Sequence, residues 1–426
     1  MNDIESIFDS DNSGINIYDT LLKMIMYADD TVIFSSTKEG LQEALNNLSV
    51  YCEKWDISVN VRKTKIVVFR KKQKLSDQFV WRYRNQEIEV VPSFKYLGLL
   101  FANNGSFSSN SNEAINSARR ALFELKKMFA QNEEMTPKIQ LDLFHSMVLP
   151  ILMYGCEIWG FIRADPIERF YLSFLKSILG VKKSTPNCFV YGELGVLPLI
   201  IERKMRIFKY WLKILKSENN SYIKKIYLDM IISDEANPVQ SSWVNQLKHS
   251  LFELGFGYVW INQHVHCETS FLSQIKQRMS DAYFQQWNAE KLATTSSKLF
   301  KHIKNSFKFE NYLLITNKSL RTALTKIRLS SHSFMIERGR WARQKIEVKD
   351  RKCTLCDVVE DEYHCLIECP RFCKERKGCL PENLLKKPSM YAFVSFMKCD
   401  DMKTCEKMGL LCFKIMKEYE KTYLCA

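Results

Sequence analysis

No stretch of the 426 residues reaches the eighteen or so uninterrupted apolar positions that a membrane-spanning helix needs. The best candidate, MVLPILMYGCEIWGFI at residues 147–162, is broken by Pro150 and Glu157, and no membrane partner is expected. The first ten residues, MNDIESIFDS, have neither the basic start nor the apolar centre of a secretory signal. Internal repeats and low-complexity segments are also missing, so neither a repeat array nor a compositionally biased tract organises the chain. These absences predict an intracellular protein, in the nucleus or the cytoplasm, whose 14 cysteines are reduced or metal-bound rather than disulfide-linked.

What remains is ordinary globular chemistry with a basic bias. A hydrophobic content of 46% over 426 residues is enough to bury the cores of roughly two to four domains. The net charge of +14 favours a polyanionic partner, because each Lys or Arg placed near a phosphate releases condensed counterions.

The most informative short segment is KMIMYADDTVIF, residues 23–34. Residues 24–27 and 31–34 have strand character, and Ala28-Asp29-Asp30 is polar enough to turn between them, which predicts a tight hairpin with two acids at its tip. By itself such a pair is a solvated turn. Next, Ser36 and Glu39 have capping-box spacing ahead of Leu41, Ala44, Leu45, Leu48, Cys52 and Trp55 on one helical face. A strand is expected at 65–69, in a run where Arg62, Lys63, Lys65, Arg70, Lys71, Lys72 and Lys74 occur with no acid among them. Strand candidates follow at 79–84 and 87–91, joined through Asn85-Gln86, and then FKYLGLLF at 94–101, closed by Asn104-Gly105.

In order and spacing, YADD, an amphipathic helix, NVRKTK and FKYLGLLF resemble the distal palm of a reverse transcriptase of the non-LTR retrotransposon type. The resemblance implies that Asp29 is a Mg²⁺ ligand and Asp30 its supporting neighbour, in a two-metal site that activates a primer hydroxyl and neutralises the leaving pyrophosphate. It maps Asn60 and Lys63 onto an Asn-x-x-Lys-Thr signature whose lysine approaches that pyrophosphate. It also makes residues 94–101 a hairpin gripping the primer strand, with Gly98 allowing close approach and Tyr96 or Phe94 packing beneath. The implied partners are an RNA template and a DNA primer.

The same resemblance calls for a third carboxylate from an earlier apolar strand. Only 26 residues precede Tyr27, and their acids, Asp3, Glu5, Asp9, Asp11 and Asp19, lie in a polar stretch. The expectation is a chain without fingers or first catalytic Asp, inactive alone; a catalytically silent nucleic-acid-binding remnant is the alternative, and a helical interaction protein a third.

Beyond the palm the pattern turns helical, with Ile115, Ala118, Leu122, Leu125 and Phe129 on one face, another apolar helix across 138–160, and core residues through VYGELGVLPL to Ile207, Phe208, Trp211, Leu212 and Leu215. Further on, Cys353, Cys356, His364 and Cys369 have C-x2-C-x7-H-x4-C spacing, which can close a tetrahedral Zn²⁺ site, with Cys365 and Cys373 as nearby residues outside the pattern. Arg338, Arg340, Trp341, Arg343 and Lys345 precede it, offering phosphate contacts and a ring for an unpaired base across 338–352. The fold class expected is α+β: a partial reverse-transcriptase palm (1–110), a thumb-like helical region (111–216), a helical region of unassigned role (217–337), a basic stretch with a CCHC zinc knuckle (338–375) and a helical tail (376–426).

Overall fold

Turn geometry sets the β-structure. In a computed structural model, which describes residues 4–8, 13–70, 79–132, 134–161, 165–239, 242–296 and 298–424, the strands form separate antiparallel hairpins. These are β1 (Ile15–Ile17) with β2 (Thr20–Leu22), β3 (Met24–Tyr27) with β4 (Asp30–Ile33), β5 (Arg82–Tyr83) with β6 (Gln86–Glu87), and β7 (Ser93–Tyr96) with β8 (Leu99–Ala102). Each is closed by a two-residue turn whose first member, Tyr18, Ala28, Arg84 or Leu97, has a positive φ. Positive φ at that position matches the right-handed twist of the paired strands. Helices make up most of the remaining regular structure, so the α+β class expected from the sequence is the one observed.

The chain divides into two units, each assembled from separated stretches: Met1–Glu113, Gly155–Ala164 and Arg203–Ser273 in the first, and Ala114–Tyr154, Asp165–Glu202 and Gln274–Ala426 in the second. The first is organised by helix α1 (Lys38–Lys54). Ala44 and Tyr51 pack with Ile4, Phe8 and Met24, while Leu45 packs with Ile66, Trp81, Tyr83 and Ile88. Gln42 behaves as a piece of sheet edge, its amide donating to the Arg82 carbonyl at 2.7 Å and its oxygen accepting from the Arg82 N–H at 2.9 Å.

Several expectations are corrected here. Thr37, not Ser36, caps α1, accepting from Gly40 N at 3.1 Å. Trp55 leaves the apolar face because the helix ends at Lys54, and the ring is exposed. Residues 65–69 form no strand; Ile66 makes only an isolated bridge to Val90, its N–H reaching the Glu89 carbonyl at 3.0 Å. The third hairpin turns at Arg84-Asn85 rather than Asn85-Gln86, with strands far shorter than expected. The apolar run across 138–160 breaks into helices Pro137–Met147, Leu149–Leu152 and Cys156–Trp159, since Pro150 supplies no N–H and Gly155 takes a left-handed conformation.

In the second unit, VYGELG forms helix Asn187–Leu194, which ends at Gly195 with φ of 61°. Chain 308–310 crosses this end: Leu194 bridges Phe309, and Glu310 N donates to the Glu193 carbonyl at 3.2 Å. A Cβ on Gly195 would lie 2.4 Å from Phe309 N and 2.6 Å from Lys308 C, both rigid backbone. Gly195→Ala is therefore expected to lower unfolding stability by about 3 kcal/mol, combining left-handed strain with overpacking. Gly105→Ala, also at positive φ but with nothing within 4 Å, should lose only the strain contribution of about 1 kcal/mol. Equal urea midpoints for the two variants would show that the close crossing is not what demands glycine.

Candidate nucleic-acid interface and metal centre

The acidic tip is built as its residues dictate. Tyr27 pairs with Asp30 across β3 and β4, Ala28 and Asp29 make the turn, and all four are exposed. Tyr96, at the end of β7, belongs to the same neighbourhood: burial first, and then the negative charge of Asp30, push its hydroxyl pKa above the ordinary value. Gly98, with φ of 82°, is the second turn residue between β7 and β8. Among the described residues, no third Asp, Glu, His or Cys closes a metal-holding group with Asp29 and Asp30. Asp19 serves elsewhere, ion-paired with Lys225 at 3.0 Å; positions 3, 9 and 11 lie outside the described residues.

The basic segment is more heterogeneous than its composition. Asn60 organises a helical turn, its carbonyl accepting from Lys63 N and Thr64 N at 3.0 Å each and its side chain from Lys63 N at 3.2 Å. This turn leaves Arg62 and Lys63 exposed. Lys65 is held by Glu89 at 2.6 Å, so its charge is partly neutralised. Arg70 is half-buried, with Nη1 lacking a hydrogen-bond partner and its N–H on the Asn103 carbonyl at 3.0 Å. Lys71, Lys72 and Lys74 lie outside the described residues.

The knuckle residues converge. Cys353, Cys356, His364 and Cys369 bring one ligand atom each within 4.8 Å of one another. The Cys353–Cys369 and Cys356–Cys369 sulfur separations are both 3.9 Å. The edge of a tetrahedron with Zn–S bonds of about 2.3 Å is roughly 3.8 Å, so the spacing suits zinc. Local backbone explains the convergence. A bridge between Lys352 and Val359 closes the Cys353–Cys356 loop, with Cys353 N on the Val358 carbonyl at 2.8 Å and Asp357 N on the Cys353 carbonyl at 3.0 Å. A π-helical turn, His364–Glu368, then places the Cys369 N–H on the His364 carbonyl at 2.8 Å, drawing together two ligands that an α-helical turn would splay.

Two further observations fit a cation. Both ring nitrogens of His364 are buried without a hydrogen-bond partner, the nearest carboxylate oxygen of Glu368 standing 3.7 Å from Nδ1. Burial pushes the Cys369 thiol up to about 12 and raises that of Cys356; a divalent ion supplies the positive charge that makes such thiolates favourable. Cys365 is buried outside the group and Cys373 is exposed.

Along 338–352 the structure separates binding candidates from structural arginines. Trp341 is 64% exposed, and Arg338, Arg343 and Lys345 are exposed around it. Arg340 is half-buried, with both Glu337 oxygens at 3.2 Å and Thr295 beside it. Arg351 is withdrawn from the expected interface: it is 2% exposed and donates to the carbonyls of Ile336 and Ile346 at 2.7–2.9 Å.

Sequence reasoning missed a buried charge cluster in the second unit. Arg328 donates to Glu193 at 2.5 Å, to Glu310 at 3.0 Å and to the Met397 carbonyl at 2.8 Å, while Lys304 ion-pairs with Glu310. A lone Glu within VYGELGVLPL was the available signal, since a carboxylate in an apolar run must find a partner.

Comparison with known proteins supports the recognition made from the sequence. Residues 1–101 match the family described as reverse transcriptase (RNA-dependent DNA polymerase). The chain is 21% identical over 209 residues to the RNA-directed DNA polymerase from mobile element jockey of Drosophila melanogaster, an alignment covering 47% of this chain and 22% of that protein. It is 25% identical over 140 residues, 32% of this chain and 16% of the relative, to the Drosophila melanogaster protein named Probable RNA-directed DNA polymerase from transposon BS. The chain therefore spans less than a quarter of the length of these curated relatives. Its first 101 residues are thus similar to reverse transcriptases, and these relatives are named as RNA-directed DNA polymerases from mobile elements.

Proposed function

We propose that the chain is a portion of an RNA-directed DNA polymerase of a non-LTR retrotransposon, engaging RNA template and DNA primer. The observation that carries this reading is the Tyr27–Asp30 tip with Tyr96 in the field of Asp30, within the segment that matches reverse transcriptases. Asp29 and Asp30 would hold Mg²⁺, which neutralises phosphate charge during nucleotidyl transfer. Lys63, exposed on the turn made by Asn60, would meet the pyrophosphate, and Tyr96 and Gly98 the primer strand. Residues 111–216 take the thumb role in this reading, and the four knuckle ligands hold Zn²⁺ beside the basic stretch 338–345.

Tested by itself, the 426-residue chain is expected to show no primer extension with Mg²⁺ or Mn²⁺, because among the described residues no third carboxylate joins Asp29 and Asp30 to fix a two-metal centre. It should bind single-stranded RNA and primer–template duplex with an affinity that falls steeply between low and moderate salt, through Arg62, Lys63, Arg338 and Arg343. Templated synthesis abolished by Asp29→Asn would reject the inactivity, and salt-independent binding would reject the electrostatic account. The exposed Trp341, in the basic stretch that precedes the four knuckle residues in the sequence, favours a second reading, a silent nucleic-acid-binding remnant. That reading predicts RNA affinity unchanged by Asp29→Asn and by Mg²⁺.

A further inference from the structure

We propose that Arg351 and Glu360 couple metal occupancy of the four-ligand knuckle to the order of the basic loop 339–346, so that the loop is presented to a nucleic acid only when the knuckle is closed; the inference rests on the zinc reading above. All of these residues belong to the second unit.

The knuckle loop is the end of a short hairpin whose arms run down from the ligands. Cys353 N–H donates to the Val358 carbonyl at 2.8 Å, Lys352 bridges Val359, and Glu360 N–H donates to the Arg351 carbonyl at 2.8 Å. Convergence of the ligands at the top therefore fixes Arg351 and Glu360, both buried, at the base.

Both residues then reach the same neighbour. Arg351 donates from Nη1 to the Ile336 carbonyl at 2.7 Å, and from Nε and Nη2 to the Ile346 carbonyl at 2.9 and 2.8 Å. A planar guanidinium thus ties the two ends of the basic loop at once. Glu360 accepts from Met335 N–H at 2.7 Å through Oε1 and from Ile336 N–H at 3.1 Å through its carbonyl, which holds the short helix Met335–Arg338 that leads into the loop. The loop closes through Ile346 N–H on the Gly339 carbonyl at 3.1 Å, and residues 341–345 are all exposed beyond that bond. With so little of itself buried, the loop takes its order from its base. Arg340, bound to Glu337 and Thr295, anchors the first arm independently, so the coupling acts chiefly on the Ile346 side.

The test is a cycle on the full chain: parent and Arg351→Met, each zinc-loaded and chelated, with amide exchange read at Ile346 and affinity read with a labelled single-stranded RNA. Zinc removal and Arg351→Met should each speed Ile346 exchange about tenfold, and the two together no further, because both break one link. Reciprocity requires Arg351→Met to bind zinc about tenfold more weakly in competition with a chelator, while still holding one ion per chain at saturation. RNA affinity should follow Ile346 exchange around the cycle. If Arg351→Met fails to fold, Gly339→Ala takes its place: Gly339 has an ordinary φ of −66°, and a Cβ there would lie 2.9 Å from Arg351 Cγ and push the clamp aside. Effects that multiply in the doubly perturbed chain, or Ile346 exchange unmoved by chelation of a zinc-holding parent, overturn the coupling while the zinc reading stands. A parent that binds no zinc overturns both. A parent that shows the exchange cycle but binds no RNA overturns the loop's nucleic-acid role.

Discussion

Chelation of zinc, or Cys353→Ser, is expected to unfold the segment around Lys352–Val359 and to weaken RNA binding, while most of the second unit stays folded. The loop between Cys353 and Val359 has little apolar area of its own, and Leu355 and Val358 are exposed. Its order therefore depends on the four ligands, and apparent zinc-binding energies of about 10–16 kcal/mol in small zinc modules are ample to impose it. The other half of the knuckle differs, because Leu366, Ile367 and Phe372 are buried and Arg376 donates to the carbonyls of Cys365 and Leu366 at 3.1 and 2.9 Å. Metal loss should thus raise amide exchange in 352–359 far more than in 364–376. Metal analysis should find one Zn²⁺ per chain in the parent, in Cys365→Ser and in Cys373→Ser, and none in Cys353→Ser or His364→Ala. Unchanged zinc in Cys353→Ser, or none in the parent, would leave these cysteines as packing residues.

The second large effect is expected at Arg328. Replacing it by Met leaves Glu193 fully buried and Glu310 nearly so, with Lys304 still ion-paired to Glu310. Breaking a buried ion pair from one side costs about 3–5 kcal/mol, because the remaining charge is uncompensated. Burial by itself raises the Glu193 carboxyl, but Arg328 and Lys304 outweigh it and hold the pKa below the ordinary value. The sign follows: a depressed carboxylate pKa contributes stability above the unfolded-state value and loses it as pH falls through the folded-state value. In Arg328→Met the carboxyl should titrate upward, so the stability gap between variant and parent should narrow in acid. Urea unfolding of both proteins at neutral and acid pH measures this, and a gap that widens on acidification would contradict the charge-cluster account.

How much of this was legible in the sequence depends on the range of each interaction. The acid-tipped hairpin was, because the short β-branched and aromatic run Met24–Tyr27 and a short polar turn are local signals, and so was the knuckle, because its spacing already sets which atoms can meet. The strand expected at 65–69 was not formed, although residues 66–69 are apolar, because its ladder partner provides one bridge and Ile66 and Val68 pack with Leu45 of α1 instead. The basic runs looked uniform as text. In three dimensions Lys65 is paired, Arg340 is paired, Arg351 is a buried brace, and Arg62, Lys63, Arg338 and Arg343 are exposed.

The sequence by itself carried the resemblance to reverse transcriptases, the hairpin that bears Asp29 and Asp30, and the four thiol and imidazole side chains that converge. Each rests on residue types a few positions apart, where covalent geometry limits the alternatives. Only the tertiary structure decided that Tyr96 lies in the field of Asp30 and that Glu193 finds Arg328 135 residues away. Those relations arise from packing between distant segments, and burial and charge compensation are properties of the assembled unit rather than of any window of its sequence.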